Sequence, residues 1–135
     1  MKTLSAGLLQ VLLLTSLALL FTPARNASGE EKPVIPSVDG GLGRCVANFT
    51  VTDSNKKPIY NAKIDVVLRY GLGGLHKSAL QVGTNSDGKA RVIGLPERSK
   101  KSLEFRITSG ELSKTILLDP SLKCDAAFDV SLEPK

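Results

Sequence analysis

The run Cys45-Val46-Ala47-Asn48-Phe49-Thr50-Val51-Thr52, the polar turn Asp53-Ser54-Asn55-Lys56-Lys57-Pro58 and the run Ala62-Lys63-Ile64-Asp65-Val66-Val67-Leu68-Arg69 decide the reading of this chain. In the first run Cys45, Ala47, Phe49 and Val51 share one face, and Asn48, Thr50 and Thr52 share the other. In the second, Ala62, Ile64, Val66 and Leu68 point one way while Lys63, Asp65 and Arg69 point the other. A strict period of two is the pattern of a strand that buries one face and wets the other. Pro58 presets its φ and has no N–H to donate, so it marks the chain's return into a strand.

The same period recurs outward from this segment. Gly71-Leu72-Gly73-Gly74 breaks the pattern, and a weaker strand is predicted near Ser78 to Thr84. Asn85-Ser86-Asp87-Gly88 predicts a hairpin turn, because Gly88 can take positive φ without a Cβ penalty. A short strand over Lys89 to Ile93 is closed by Gly94-Leu95-Pro96. Leu103, Phe105 and Ile107 alternate with Glu104, Arg106 and Thr108; a strand over Leu112 to Leu118 follows; and Cys124, Ala126, Phe128, Val130 and Leu132 alternate with polar neighbours. No helical period is visible beyond residue 43. Short strands at intervals of roughly 8–12 residues predict an all-β, seven-stranded antiparallel Greek-key sandwich over residues 44–135.

Upstream the composition changes. Lys2 precedes a run from Gly7 to Phe21 in which only Gln10, Thr15 and Ser16 are polar. The run has the length of a signal-peptide core and is short for a span of about 20 residues. Small residues at Thr22 and Ala24 place cleavage after Ala24, with Ala27 as second choice, so residues 1–24 are read as a secretory signal. An uncleaved signal anchor is the alternative. Residues 25–43, rich in Glu, Pro, Ser and Gly, are read as a flexible leader. The expected location is secreted or periplasmic, with no transmembrane span in the mature chain.

Cys45 and Cys124 are the two cysteines, and an even count in an exported chain predicts one disulfide. By strand parity both point into the core. Closing a loop of ~79 residues would stabilise the domain by up to about 4–5 kcal/mol in the chain-entropy model. Two inert buried thiols are the alternative.

Two blocks go beyond generic alternation. Val51 to Val66, with Pro58 and Ala62, and Thr84 to Pro96, with Asp87, Gly88, Gly94, Leu95 and Pro96, resemble carboxypeptidase regulatory-like domains. The resemblance implies a transthyretin-like (prealbumin-like) sandwich and assigns these residues structural roles. Two departures stand out: Asn85 occupies a position where an acidic residue is usual, and paired cysteines are not a general property of that family.

Chemistry is sparse. His76, the only histidine, cannot by itself supply a zinc or triad site, so no metal and no cofactor are expected. Asn85-Ser86-Asp87-Gly88 lacks the remaining carboxylates of a calcium loop. The net charge of +5 falls by the one charge of Lys2 on cleavage, which favours anionic partners without being a nucleic-acid signature. Lys56 and Lys57 in one turn and Arg98, Lys100 and Lys101 in another would form a cationic rim if those turns share an end of the sandwich. Sugar binding by aromatic stacking is poorly supported, because tryptophan is absent and aromatics make up only 4% of the chain, which leaves Tyr60 and Tyr70 as platforms. Asn26 and Asn48 fit the glycosylation sequon. The expectation is a non-catalytic binding or interaction module of the cell envelope or extracellular space, not an enzyme, with a protein or anionic glycan as partner and no nucleic acid. A transthyretin-like oligomeric carrier of a small ligand is the alternative. A hydrolase of the hydroxyisourate kind is disfavoured by the single histidine and the C-terminal Ser131-Leu132-Glu133-Pro134-Lys135.

Overall fold

The computed structural model describes residues 32–134; the predicted signal, Asn26 and the start of the leader lie outside the described residues. The strands are β1 (Ser37–Asp39), β2 (Cys45–Asp53), β3 (Lys63–Tyr70), β4 (His76–Gly83), β5 (Lys89–Leu95), β6 (Leu103–Ser109), β7 (Leu112–Leu118) and β8 (Asp125–Leu132). They form two four-stranded sheets, ordered β1-β5-β2-β8 and β4-β3-β6-β7. The described residues contain no α-helix and one short 3₁₀ turn at Leu72–Gly74.

The alternation read from the sequence is the alternation of burial. Cys45, Ala47, Phe49 and Val51 of β2 meet Ile64, Val66 and Leu68 of β3 and Phe105 and Ile107 of β6 in one core. Phe49 joins the sheets: its ring centroid lies 5.1 Å from that of Phe105 in the opposite sheet and 5.4 Å from that of Phe128 in its own.

Four expectations are corrected. The sandwich has eight strands rather than seven, because Ser37–Asp39, expected in a flexible leader, pair in parallel with Arg91–Ile93 of β5. Three residues are too few to display a period. What holds β1 is backbone bonding that continues past it, from Arg91 N–H to Pro36 O (2.9 Å), Gly40 N–H to Ile93 O (2.9 Å) and Leu42 N–H to Gly94 O (2.8 Å). The first sheet is mixed rather than antiparallel, since β2 also pairs in parallel with β8 from Val46↔Asp125 to Asp53↔Leu132. β4 starts at His76 instead of Ser78, and β5 runs on to Leu95.

The fourth correction concerns the disulfide. Cys45 and Cys124 are bonded, with Cα atoms 4.6 Å apart. Cys45 is fully buried, but Cys124 is exposed, because it sits one residue ahead of β8 and outside the ladder. Val46 N–H donates to Cys124 O at 2.9 Å, so the bond staples the entrances of two adjacent parallel strands within one sheet.

The two sequence blocks meet at the opposite end. Buried Thr84 donates its hydroxyl to Ile59 O (2.6 Å) and accepts from Ala62 N–H (2.9 Å). Gly88 lies at φ 73° with Val51 O where a Cβ would stand, and its carbonyl accepts from Val51 N–H at 2.7 Å. At the disulfide end Gly94 lies at φ 67°, and a Cβ there would stand against Asp39 and 2.5 Å from Gly41 N. Both positions therefore exclude a side chain for conformational and spatial reasons together.

Candidate functional site

The outer face of the β4-β3-β6-β7 sheet carries an open groove of about 600 Å³. Strand parity builds it. Asp65, Val67 and Arg69 of β3 and Glu104 and Arg106 of β6 alternate with the core residues and face outward. Register sets Arg69 directly opposite Lys77 of β4, and sets Arg106 directly opposite Asp65, four residues back along β3 and about 13 Å from Arg69 at ~3.3 Å per residue. Lys101, with Ser99 and Ser102, adds the loop between β5 and β6 as one wall.

Four cations and two carboxylates, Asp65 and Glu104, line the groove, so its charge is only partly balanced. Asp65 accepts from Gln81 Nε2 at 2.7 Å, which draws its carboxylate toward β4 and away from Arg106 on the other flank. Among the described residues the ion pair within 4 Å is Arg44–Glu97, at 2.7 Å on the surface, and none of Arg69, Lys77, Lys101 and Arg106 takes part in one. That pair also raises the pKa of Arg44, first through the hydrogen bond to Glu97 and then through its charge. Like charges directly opposite on a ladder cost stability unless something anionic lies between or above them. The floor includes Val67, which is 53% exposed at the middle of the sheet. Geometry of this kind suits an anion that also has an apolar or ring face.

The predicted rim is divided. β2 ends at Asp53 next to Lys56 and Lys57, whereas Arg98, Lys100 and Lys101 follow β5, whose last residue pairs with Cys45 at the start of β2. Nine residues of strand separate the two clusters, about 26 Å at ~3.3 Å per residue. That exceeds the ~8–10 Å screening length, so the clusters act separately. Lys101 belongs to the groove; Lys56 and Lys57 do not. Tyr60 is exposed away from it, and Tyr70 stacks on His76 at 5.2 Å in the β3–β4 hairpin. Asn48 faces outward and accepts from Arg91 Nε at 2.8 Å. Sequence order alone does not join Arg69, Lys77 and Arg106. The available signal was the near-symmetry of Arg69-Tyr70 and His76-Lys77 about a Gly-rich turn, which a hairpin places face to face.

The departure at Asn85 has a physical reason. Its Oδ1 accepts from Asp87 N–H (2.9 Å) and Lys89 N–H (3.0 Å), closing the turn, while its Nδ2 donates to Val34 O at 3.0 Å. An aspartate could make the first two bonds and not the third.

No family model matches the chain, and no curated protein matches it. Solved structures do. The catechol 1,2-dioxygenase from Acinetobacter sp. ADP1, inhibited by bound mercury, superposes with a TM-score of 0.52 at 13% identity, over 74% of this chain and 59% of that one. The catechol 1,2-dioxygenase from Pseudomonas arvilla C-1 gives 0.50 at 15% identity, over 74% and 58%. The chain thus spans about six-tenths of the enzymes it matches, and it shares their β-sandwich fold.

This likeness overturns the expectation of a non-catalytic module and, with it, the expectation that the chain is not an enzyme. Chains named as dioxygenases are built on the same sandwich, so the lack of a familiar triad on such a fold is no ground for excluding catalysis. The likeness fits a broad β-sandwich and does not single out the carboxypeptidase regulatory-like family. Among the described residues no three His, Cys, Asp or Glu side chains gather around a common point where a metal ion could be held.

Proposed function

We propose that this protein recognises an anionic glycan in the groove on the outer face of the β4-β3-β6-β7 sheet, outside the cytoplasm. The observation that carries the reading is the opposed pair Arg69 and Lys77, which with Arg106 and Lys101 line one open groove against two carboxylates, Asp65 and Glu104, without a salt bridge within 4 Å to either. Four cations against two carboxylates leave the groove net positive, which supplies attraction, and Ser102 supplies a hydrogen-bonding partner for a sugar hydroxyl. The exposed Val67 offers a patch for a sugar's apolar face. An open groove accommodates a chain that continues beyond the site.

Support for export comes from the apolar segment Gly7 to Phe21 and from the Cys45–Cys124 disulfide, a bond characteristic of oxidising compartments. N-terminal sequencing of the exported protein tests it, with Arg25 expected first. Kinship with carboxypeptidase regulatory-like domains, and with their transthyretin-like Greek-key arrangement, is proposed on the two blocks that meet through Thr84, Ile59 and Ala62.

The test is titration with polygalacturonate against neutral dextran in low salt. Binding of the first alone, weakening as salt is raised and lost in Arg69→Gln/Arg106→Gln, supports the reading; equal binding of both polymers overturns it. Because dioxygenases named for catechol share the fold, dioxygen uptake in the presence of catechol is measured on the same preparation.

A further inference from the structure

The strand ends on the groove's Arg69 side gather at one end of the sandwich. There the β3–β4 hairpin turns, β5 hands over to β6 and β7 to β8, as the registers Arg69↔Lys77, Cys45↔Leu95, Leu103↔Leu118 and Val46↔Asp125 require. The hairpin is layered. Its last outward rung is Arg69 opposite Lys77, the next is Tyr70 stacked on His76 at 5.2 Å, and beyond them the turn carries Leu72 (90% exposed) and Leu75 (81% exposed). No acidic residue lies between Arg69 and Lys77. At the same end the loop after β7 presents Leu122, 85% exposed, and Lys123 between Asp119 and Asp125, while the loop after β5 presents Arg98, Lys100 and Lys101 beyond Glu97, whose carboxylate is paired with Arg44.

Single exposed leucines are ordinary. Leucines at the tips of two loops, with aromatic rings one rung back and cations behind them, are ordered as a bilayer interface is ordered: acyl chains, then the aromatic belt, then anionic headgroups. From the Arg69–Lys77 rung to the hairpin tip is about 7–10 Å at ~3.3 Å per residue, which matches the ~5–10 Å to which interfacial apolar side chains are buried.

We infer that this end of the sandwich docks on an anionic lipid bilayer, with Leu72, Leu75 and Leu122 in the acyl boundary and the flanking cations at the headgroups. The inference goes beyond the glycan reading. A bilayer so placed sets the groove at headgroup level, where the glycans of membrane glycolipids begin.

The protein as recovered from producing cells is sedimented with vesicles of phosphatidylglycerol and phosphatidylcholine, and with phosphatidylcholine vesicles alone. Binding to the anionic vesicles only, weaker by at least roughly tenfold in Leu72→Ser/Leu75→Ser, is the expected result. The chain has no tryptophan, so Leu75→Trp gives a clean reporter whose emission shifts to the blue on insertion. Equal sedimentation of the wild type and the double serine variant, or indole emission from the Leu75→Trp variant that stays at its aqueous position, overturns docking. Polygalacturonate binding by the same variants reads the groove separately: it is retained in the serine variant if both readings hold, and its absence in the wild type removes the glycan reading alone.

Discussion

Asn85 Nδ2 donates a hydrogen bond to the carbonyl oxygen of Val34 across 3.0 Å, fastening the chain that leads into β1 to the turn that leads into β5. The side chain is nearly buried, so an unmatched acceptor in its place would lose more than one ordinary bond. Asn85→Asp keeps both acceptor bonds to Asp87 and Lys89 but loses the donor and sets a carboxylate beside the Val34 carbonyl. We expect a loss of about 1–3 kcal/mol in denaturant unfolding. The change should be local as well: the Arg91 and Gly40 amides, which hold β1, should exchange faster while those of β2 facing β8 stay protected.

The cross-strand pair Arg69 and Lys77 sets a stability cost against a binding function. Lys77→Thr removes the like-charge opposition and installs a good strand former, so the midpoint should rise by the equivalent of about 0.2–1 kcal/mol while polygalacturonate affinity falls. A variant that loses stability and keeps its affinity would show that the pair is not held open for an anion.

The disulfide staples β2 to β8 at their entrances and closes 79 residues of separation. Cys45→Ser/Cys124→Ser should cost about 2–4 kcal/mol by urea unfolding. Native protein treated with an alkylating reagent should gain no mass until it is reduced.

Gly94 combines φ 67° with backbone neighbours, Gly41 N and Gly40 N, at 2.5 and 2.9 Å from where a Cβ would go. Gly94→Ala should destabilise by roughly 1–3 kcal/mol and free β1 from β5 before the rest of the sheet yields. Gly41, also at positive φ but with open space around it, should tolerate alanine better. Comparing the two midpoints separates the contact from the backbone conformation.

The inward faces of β2, β3, β6 and β8, the turn at Asn85 to Gly88 and the cysteine pairing were legible in the residues alone. Each depends on an element burying one face or on a count in an oxidising compartment, and a period of two records burial one strand at a time. Partner strands leave no such mark. That β2 runs parallel to β8, that Ser37–Asp39 joins β5, and that Cys124 stands exposed beside a buried Cys45 follow from backbone bonds between distant segments. The cations were all visible as well, but their grouping was not. Lys56 and Lys57 look like companions of Arg98 and Lys100 until β2 separates them by its length. Arg69 and Lys77 become neighbours, and Arg106 comes onto the same sheet face opposite Asp65, only when three strands lie side by side. Local alternation is written in the order of the residues, whereas adjacency across a sheet is decided by the non-local pairing that folds that order into two layers.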